Sequence, residues 1–191
     1  IPDIMEECAR KRIKRVVIES AGFGEYGEEG NRLAARVQEI AAEAGIRFIG
    51  PNCIGLINRH NGLSLPFVRL ELDMKAGGIS IITQSGGVGL SILHVLTSEG
   101  LGLAKFASVG NKLDVDENDL LEYLIEDPQT EIICMYLEGI CDGRRLIELA
   151  RRSTKPILLH KSNIGTAAQG IATSHTAALS ADDAVVDAAL V

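Results

Sequence analysis

The 191-residue sequence predicts an α/β protein with parallel sheets, and three observations carry that prediction. Short apolar runs of strand length alternate with longer segments of helical periodicity. Aromatic residues make up 4% and Trp is absent, while Gly, Ala, Ile, Leu and Val dominate, which suits helices packed closely on a buried sheet. With 46% hydrophobic residues the chain can build one large or two small cores, so its two halves are read separately.

In the first half the pattern predicts a helix over 2–11, a strand over 15–19, a helix over 28–44 and a strand over 46–49. That is half of a doubly wound domain. Two strands and two helices make a poor independent core, so further partners are expected upstream of Ile1, the more so because the chain opens on Ile-Pro rather than Met. Residues 1–58 are assigned to this domain. Over 59–76 the periodicity fades into Arg59-His60-Asn61-Gly62 and Leu65-Pro66-Phe67, the composition of a linker. Residues 77–191 form the second domain. It has strands over 79–83, 103–107, 132–137 and 156–159, and helices over 87–98, 118–126 and 144–151. This reads as a flavodoxin-like sheet. Right-handed crossovers between parallel strands bring all the strand C-termini to one edge, where such folds place their sites. The alanine-rich end of the chain reads as an unfinished helix, so the sequence is expected to be a piece of a longer protein or a subunit.

A formal net charge of −7 argues against a nucleic-acid or anionic-membrane partner, and the short basic run 10–15 reads as a solvated helix end. No apolar run has bilayer length, and the N-terminus lacks the order of a secretory signal. Cys8, Cys53, Cys134 and Cys141 show no metal-ligand spacing and a chain this long needs no disulfides, so no metal site and a reducing cytoplasm are expected.

Four segments bear on chemistry. Gly22-Phe23-Gly24-Glu25-Tyr26-Gly27 matches a dinucleotide pattern after a strand, but the next strand ends in Gly50-Pro51-Asn52 and offers no acid for a ribose. No Gly-Lys-Ser/Thr of a P-loop occurs. Gln84-Ser85-Gly86-Gly87-Val88-Gly89 lies between an apolar strand and an apolar helix, where free backbone amides and the helix dipole favour an anion; a plain tight turn capped by Ser85 fits equally well. The segment 162–176 is small, hydroxylated and centred on His175, whose imidazole could act as nucleophile, base or ligand, or simply cap the next helix. Glu138 stands at the C-terminal end of a buried strand on the edge that holds Ser85, as a carboxylate able to orient an imidazole or as an exposed strand-end acid. His60, His94 and His160 are read as linker, core and strand-end residues.

Ser20-Ala21-Gly22-Phe23, Gly50-Pro51-Asn52-Cys53-Ile54-Gly55, Thr83-Gln84-Ser85-Gly86-Gly87, Ser108-Val109-Gly110-Asn111, Asp127-Pro128-Gln129-Thr130, Tyr136-Leu137-Glu138-Gly139 and Ser174-His175-Thr176-Ala177-Ala178 together resemble the succinyl-CoA synthetase α-subunit superfamily, and within it the NDP-forming (ADP-forming) acyl-CoA synthetases. The resemblance spans essentially the whole chain. It implies the second half of a Rossmann-like CoA-binding domain, with Ala21, Gly22, Phe23, Asn52 and Cys53 bordering coenzyme A. It also implies a CoA-ligase domain in which His175 carries a phosphoryl group, Glu138 hydrogen-bonds that histidine, and Ser85, Gly86 and Gly87 cradle the phosphate with Gly165 and Thr166. ADP or ATP with Mg2+ would sit on an ATP-grasp domain, on another chain or further along this one, and an oligomer is expected. Ala177-Ala178 departs from the Thr-Gly-Ala common after the histidine, which bears on the rate rather than the role. The alternative reading is an acetyl-CoA-sensing region of a bacterial protein-lysine acetyltransferase. A scaffold subunit and a citrate-cleaving relative rank below it, since the histidine segment of the latter usually reads Gly-His-Ala-Gly.

Overall fold

A computed structural model describes residues 1–70 and 73–162. The first unit comprises α1 (Pro2–Arg10), β1 (Arg15–Val17), a 3-10 turn (Gly24–Tyr26), α2 (Gly27–Ala44) and β2 (Arg47–Ile49). Proline in the first turn of α1 costs no hydrogen bond, because that amide has no helical partner. Helix α2 stops at Gly45, whose left-handed φ of 60° any side chain would strain. Ala34, Val37, Ile40 and Ala41 share one stripe of α2 and pack with Met5, Ile18, Phe23 and Phe48 over the parallel pair β1–β2.

The second unit comprises β3 (Leu56–Asn58), β4 (Leu63–Ser64), β5 (Ala76–Thr83), α3 (Gly86–Ser98), β6 (Leu103–Ser108), α4 (Glu117–Glu126), β7 (Ile132–Leu137), α5 (Gly143–Arg152) and β8 (Ile157–Lys161). Its sheet runs β4-β3-β6-β5-β7-β8, with β6, β5, β7 and β8 parallel and the β3–β4 hairpin antiparallel at one edge. Successive residues point to opposite faces, so Ile81 joins one core, with Leu93 and Leu96 of α3 and Phe106, and Ile82 joins the other, with Leu121, Leu124, Leu146 and Leu149 of α4 and α5. The register Thr83↔Ser108, Thr83↔Tyr136 and Tyr136↔His160 levels the four strand C-termini along one edge.

Two features differ from expectation. Residues 56–58 and 63–64 are strands of the second sheet; strands of three and two residues carry too little alternation to show in the sequence, and they exist through pairing with β6 at Leu56↔Ala107. His94, expected in the core, is exposed on α3. That helix is apolar nearly all round, so its buried stripe of Gly89, Leu93 and Leu96 is not marked by contrast with polar neighbours.

Behind the sheet, Lys105 Nζ lies 2.6 Å from Asp127 Oδ2, and Thr130, itself 2.8 Å from Ser80 Oγ, donates to the same oxygen. This buried network accounts for the Asp127-to-Thr130 segment as structure. The two units meet through 109–119: Val115 N donates to Phe48 O at 3.1 Å, Leu113 N to Gly50 O at 3.2 Å, and Asp114 accepts from Phe48 N and from Arg47. Among the described residues no helix is long and apolar enough to cross a membrane.

Candidate functional site

The chain leaves β5 at Thr83 and enters α3 at Gly86 within two residues. Ser85 is extended (φ −82°, ψ 124°), and its Oγ accepts from Val88 N at a long 3.4 Å, so the hydroxyl is a weak cap. Gly86 faces Ile54: a Cβ there would lie 2.6 Å from Ile54 Cγ1. A Cβ on Gly87 would meet nothing within 4 Å, so the turn presents its backbone to open space. Amides at a helix start that face a void are suited to an anion.

Opposite stands Glu138, half-buried just past β7. Its backbone is held by Gln84, whose buried side-chain carbonyl accepts from Glu138 N at 2.9 Å and Gly139 N at 3.0 Å. The following loop is anchored by a buried ion pair: Lys112 Nζ lies 2.9 Å from Glu117 Oε2 and donates to Gly139 O at 2.7 Å, and Glu117 Oε1 accepts from Cys141 N. Asp116, Glu117 and Cys141 form a cluster with metal-ligating atoms, but the Lys112 ammonium already supplies its positive charge.

A cleft of about 640 Å³ joins these groups to the first unit. Its lining brings Ser85, Gly86, Gly87 and Glu138 together with Glu19, Ser20, Ala21, Asn52 and Cys53, and includes Gln84, Gly110 and Asn111. Gly110 is required where the units touch, since a Cβ on it would come within 2.1 Å of Pro51 O and its φ is 55°. Asn52, itself at φ 59°, donates to Asn111 Oδ1 at 3.2 Å, and Asn111 Nδ2 donates to Glu25 Oε2 at 2.7 Å. Glu25 in turn accepts from the amides of Gly22 and Phe23. Burial alone would raise the pKa of Glu25; the bonds from its own amide, Gly22, Asn111 and Phe23 outweigh this and hold it below the ordinary carboxylate value.

The predicted site residues thus fall into three groups. Ser85, Gly86, Gly87, Glu138, Ala21, Asn52 and Cys53 share the cleft. Gly22 and Phe23 follow Ala21 in the chain but are not in its lining: the Phe23 side chain is in the first core, and both amides are engaged by Glu25. His175, Gly165 and Thr166 lie outside the described residues. Ser162, the last described residue, lies next to the strand end that carries Glu138, its N donating to Leu137 O at 2.9 Å. The Cys53 thiol donates to Ile18 O at 3.4 Å, and burial, aided by Glu19, pushes it up to about 12, so it is a neutral thiol at physiological pH. Gln84, Asn111 and Glu25 carry more of the geometry than the sequence assigned them. Gln84 and Asn111 stand in recognised motifs, but their side-chain partners are remote in the chain.

The sequence matches the succinyl-CoA ligase like flavodoxin domain over residues 76–191 and the CoA binding domain over residues 1–59. It is 42% identical over 185 residues to the alpha subunit of acetate–CoA ligase [ADP-forming] II of Pyrococcus furiosus, covering 96% of this chain and 40% of that protein. It is 41% identical over 190 residues to acetate–CoA ligase [ADP-forming] II of Archaeoglobus fulgidus, covering 98% and 28%. The fold superposes with a TM-score of 0.91 and 31% identity on the dinucleotide forming acetyl-coenzyme A synthetase 1 of Ca. Korarchaeum cryptofilum in complex with phosphate and ADP, covering 98% and 40% of the two chains. The chain therefore spans less than half the length of each of these three proteins.

Proposed function

The chain belongs to the succinyl-CoA ligase like flavodoxin domain family, and from that premise we propose that it is the CoA-ligase core of an NDP-forming (ADP-forming) acyl-CoA synthetase. Such an enzyme interconverts acyl-CoA, ADP and phosphate with a carboxylic acid, ATP and CoA. The observation that carries the reading is a cleft whose lining holds together a glycine turn opening a helix, the carboxylate Glu138, and Asn52 and Cys53.

An oxygen of inorganic phosphate attacks the thioester carbonyl, the C–S bond breaks and CoA leaves as its thiol, giving an acyl phosphate. A ring nitrogen of His175 then attacks phosphorus, the P–O bond to the acyl group breaks and the carboxylate leaves. Finally a terminal phosphate oxygen of ADP takes the phosphoryl group, regenerating the imidazole. The amides of Ser85, Gly86 and Gly87 would neutralise the phosphate oxygens, joined by Gly165 and Thr166. Glu138 would accept from the other ring nitrogen of His175, fixing its tautomer. Ala21, Gly22, Phe23, Asn52 and Cys53 would border CoA, Gly22 and Phe23 by backbone. Cys53, a neutral thiol, would pack rather than react. ADP and Mg2+ would be held by an ATP-grasp partner domain in an oligomeric enzyme of the cytoplasm, where CoA, phosphate and ATP are supplied.

The test is to incubate the holoenzyme, this chain with its ATP-grasp partner, with radiolabelled ATP and Mg2+. Acid-labile, base-stable protein phosphate is expected in wild type and absent from His175→Ala. Equal labelling of both, or an unlabelled wild type whose partner binds nucleotide, overturns the reading.

A further inference from the structure

We propose that Phe67, backed by Ile54, is the wall of this cleft that receives the acyl chain, and so sets which carboxylic acids the enzyme takes. The inference rests on the functional reading above. Its starting point is an aromatic ring from the stretch that reads as linker in the sequence: Phe67 lines the cleft and is 61% exposed. It is held there by backbone. Leu65 N donates to Leu56 O at 2.8 Å and Phe67 N to Ile54 O at 3.2 Å, so 65–67 runs antiparallel along 54–56 and extends the β3–β4 hairpin to the cleft mouth. Ile54 connects this wall to the phosphate turn, since its side chain occupies the space a Cβ on Gly86 would need.

The cleft therefore has two chemical ends. One is the open space that the backbone amides face beside Glu138; the other is apolar, made by Ile54, which abuts the turn at Gly86, and by Phe67, the two large apolar side chains of the lining. An acyl phosphate has the same division, with an anion at one end and the acid's own chain at the other. Among the described residues lining the cleft there is no Lys or Arg, while Glu19 and Glu138 are acidic. A second carboxylate would be repelled and left unpaired, whereas methylenes would be taken out of water against the ring. The geometry makes Phe67 the residue that distinguishes acetate from longer acids.

The experiment measures kcat and KM of the holoenzyme for acetate, butyrate and succinate in wild type, Phe67→Ala and Phe67→Leu. Wild-type labelling by ATP, which needs no acid, is recorded on the same preparation. The expected result is a rise of about tenfold in the KM for butyrate relative to acetate in Phe67→Ala, the scale of losing contact with one or two methylenes. Phe67→Leu should lie in between, kcat should be little changed, and succinate should be poor throughout. A labelled wild type with an unchanged butyrate-to-acetate ratio in Phe67→Ala overturns the assignment of Phe67 alone. Loss of the ATP-grasp partner by Phe67→Ala on size exclusion overturns it too, making the ring an interface residue. An unlabelled wild type overturns the functional reading itself.

Discussion

The side-chain carbonyl oxygen of Gln84 accepts hydrogen bonds from the backbone amides of both Glu138 and Gly139. One residue before the glycine turn thereby fixes the strand end that carries the acid, so turn and carboxylate move as a unit. Gln84→Leu keeps the volume and leaves two amides unpaired, each costing about 1–3 kcal/mol where water is excluded. We expect a lower melting temperature and at least a tenfold slower His175 labelling, with Gln84→Glu, which keeps an acceptor, restoring most of both. Unchanged labelling in Gln84→Leu would show that the link is ornamental to transfer.

The two glycines that open α3 should respond differently to alanine. At Gly86 a methyl meets Ile54, so Gly86→Ala is expected to lower thermal stability, and adding Ile54→Ala to relieve that loss in part. At Gly87 the space is open, so Gly87→Ala should leave the melting temperature within the small range of surface changes, about 0.5 kcal/mol, while its methyl obstructs phosphate. Thermal melts with and without millimolar phosphate distinguish the two.

Asp127 should make the fold acid-sensitive. Burial raises its pKa, but the hydrogen bonds from Lys105 and Thr130 and the Lys105 charge outweigh burial and hold it below the usual 3.8. A carboxyl whose folded-state pKa is depressed contributes stability above its unfolded pKa and loses it as pH falls through the folded one. Asp127→Asn strands the Lys105 ammonium in the interior, at a cost of about 3–5 kcal/mol at neutral pH. Urea denaturation from about pH 7 down to about pH 3 should show wild type losing more stability than the variant. Parallel curves would mean that other groups control acid unfolding.

Cys53 offers a reactivity test. Buried and with its thiol held neutral, it should react with a disulfide reagent at mildly alkaline pH only after unfolding; Cys141 is exposed, but burial raises its pKa too, to about 11, so it should react slowly, and Cys53→Ser should leave that slow phase unchanged. A fast phase that disappears in Cys53→Ser would place a thiolate in the cleft.

Much of this arrangement is legible in the sequence because long, apolar strands announce themselves. Ile79–Thr83 and Ile132–Leu137 are visible as apolar runs, and once they are strands of one parallel sheet, Ser85 and Glu138 must share an edge. The hairpin at 56–64 is not legible, because its strands are too short and owe their existence to β6. Phe67 looks like linker composition for the same reason: its place in the cleft comes from a backbone bond to Ile54. The role of Gln84 depends on the register Thr83↔Tyr136, which aligns residues 53 positions apart and which no local pattern encodes. Phe23 sits in a motif that the resemblance assigns to CoA, yet its ring is among the most buried in the first core, which motif membership does not announce.

The stitching of β2 to residues 113–115 bears on the order in which the chain acquires its shape during synthesis. The outer edge of β2 is satisfied by Val115 N and the Asp114 carboxylate, which leave the ribosome only after the hairpin, β5, α3 and β6 have been made. Until then Phe48 presents an open strand edge, a ready template for pairing with another chain. The first unit is thus finished late, by a segment of the second, and a nascent chain paused between 60 and 110 is the form most exposed to misassembly.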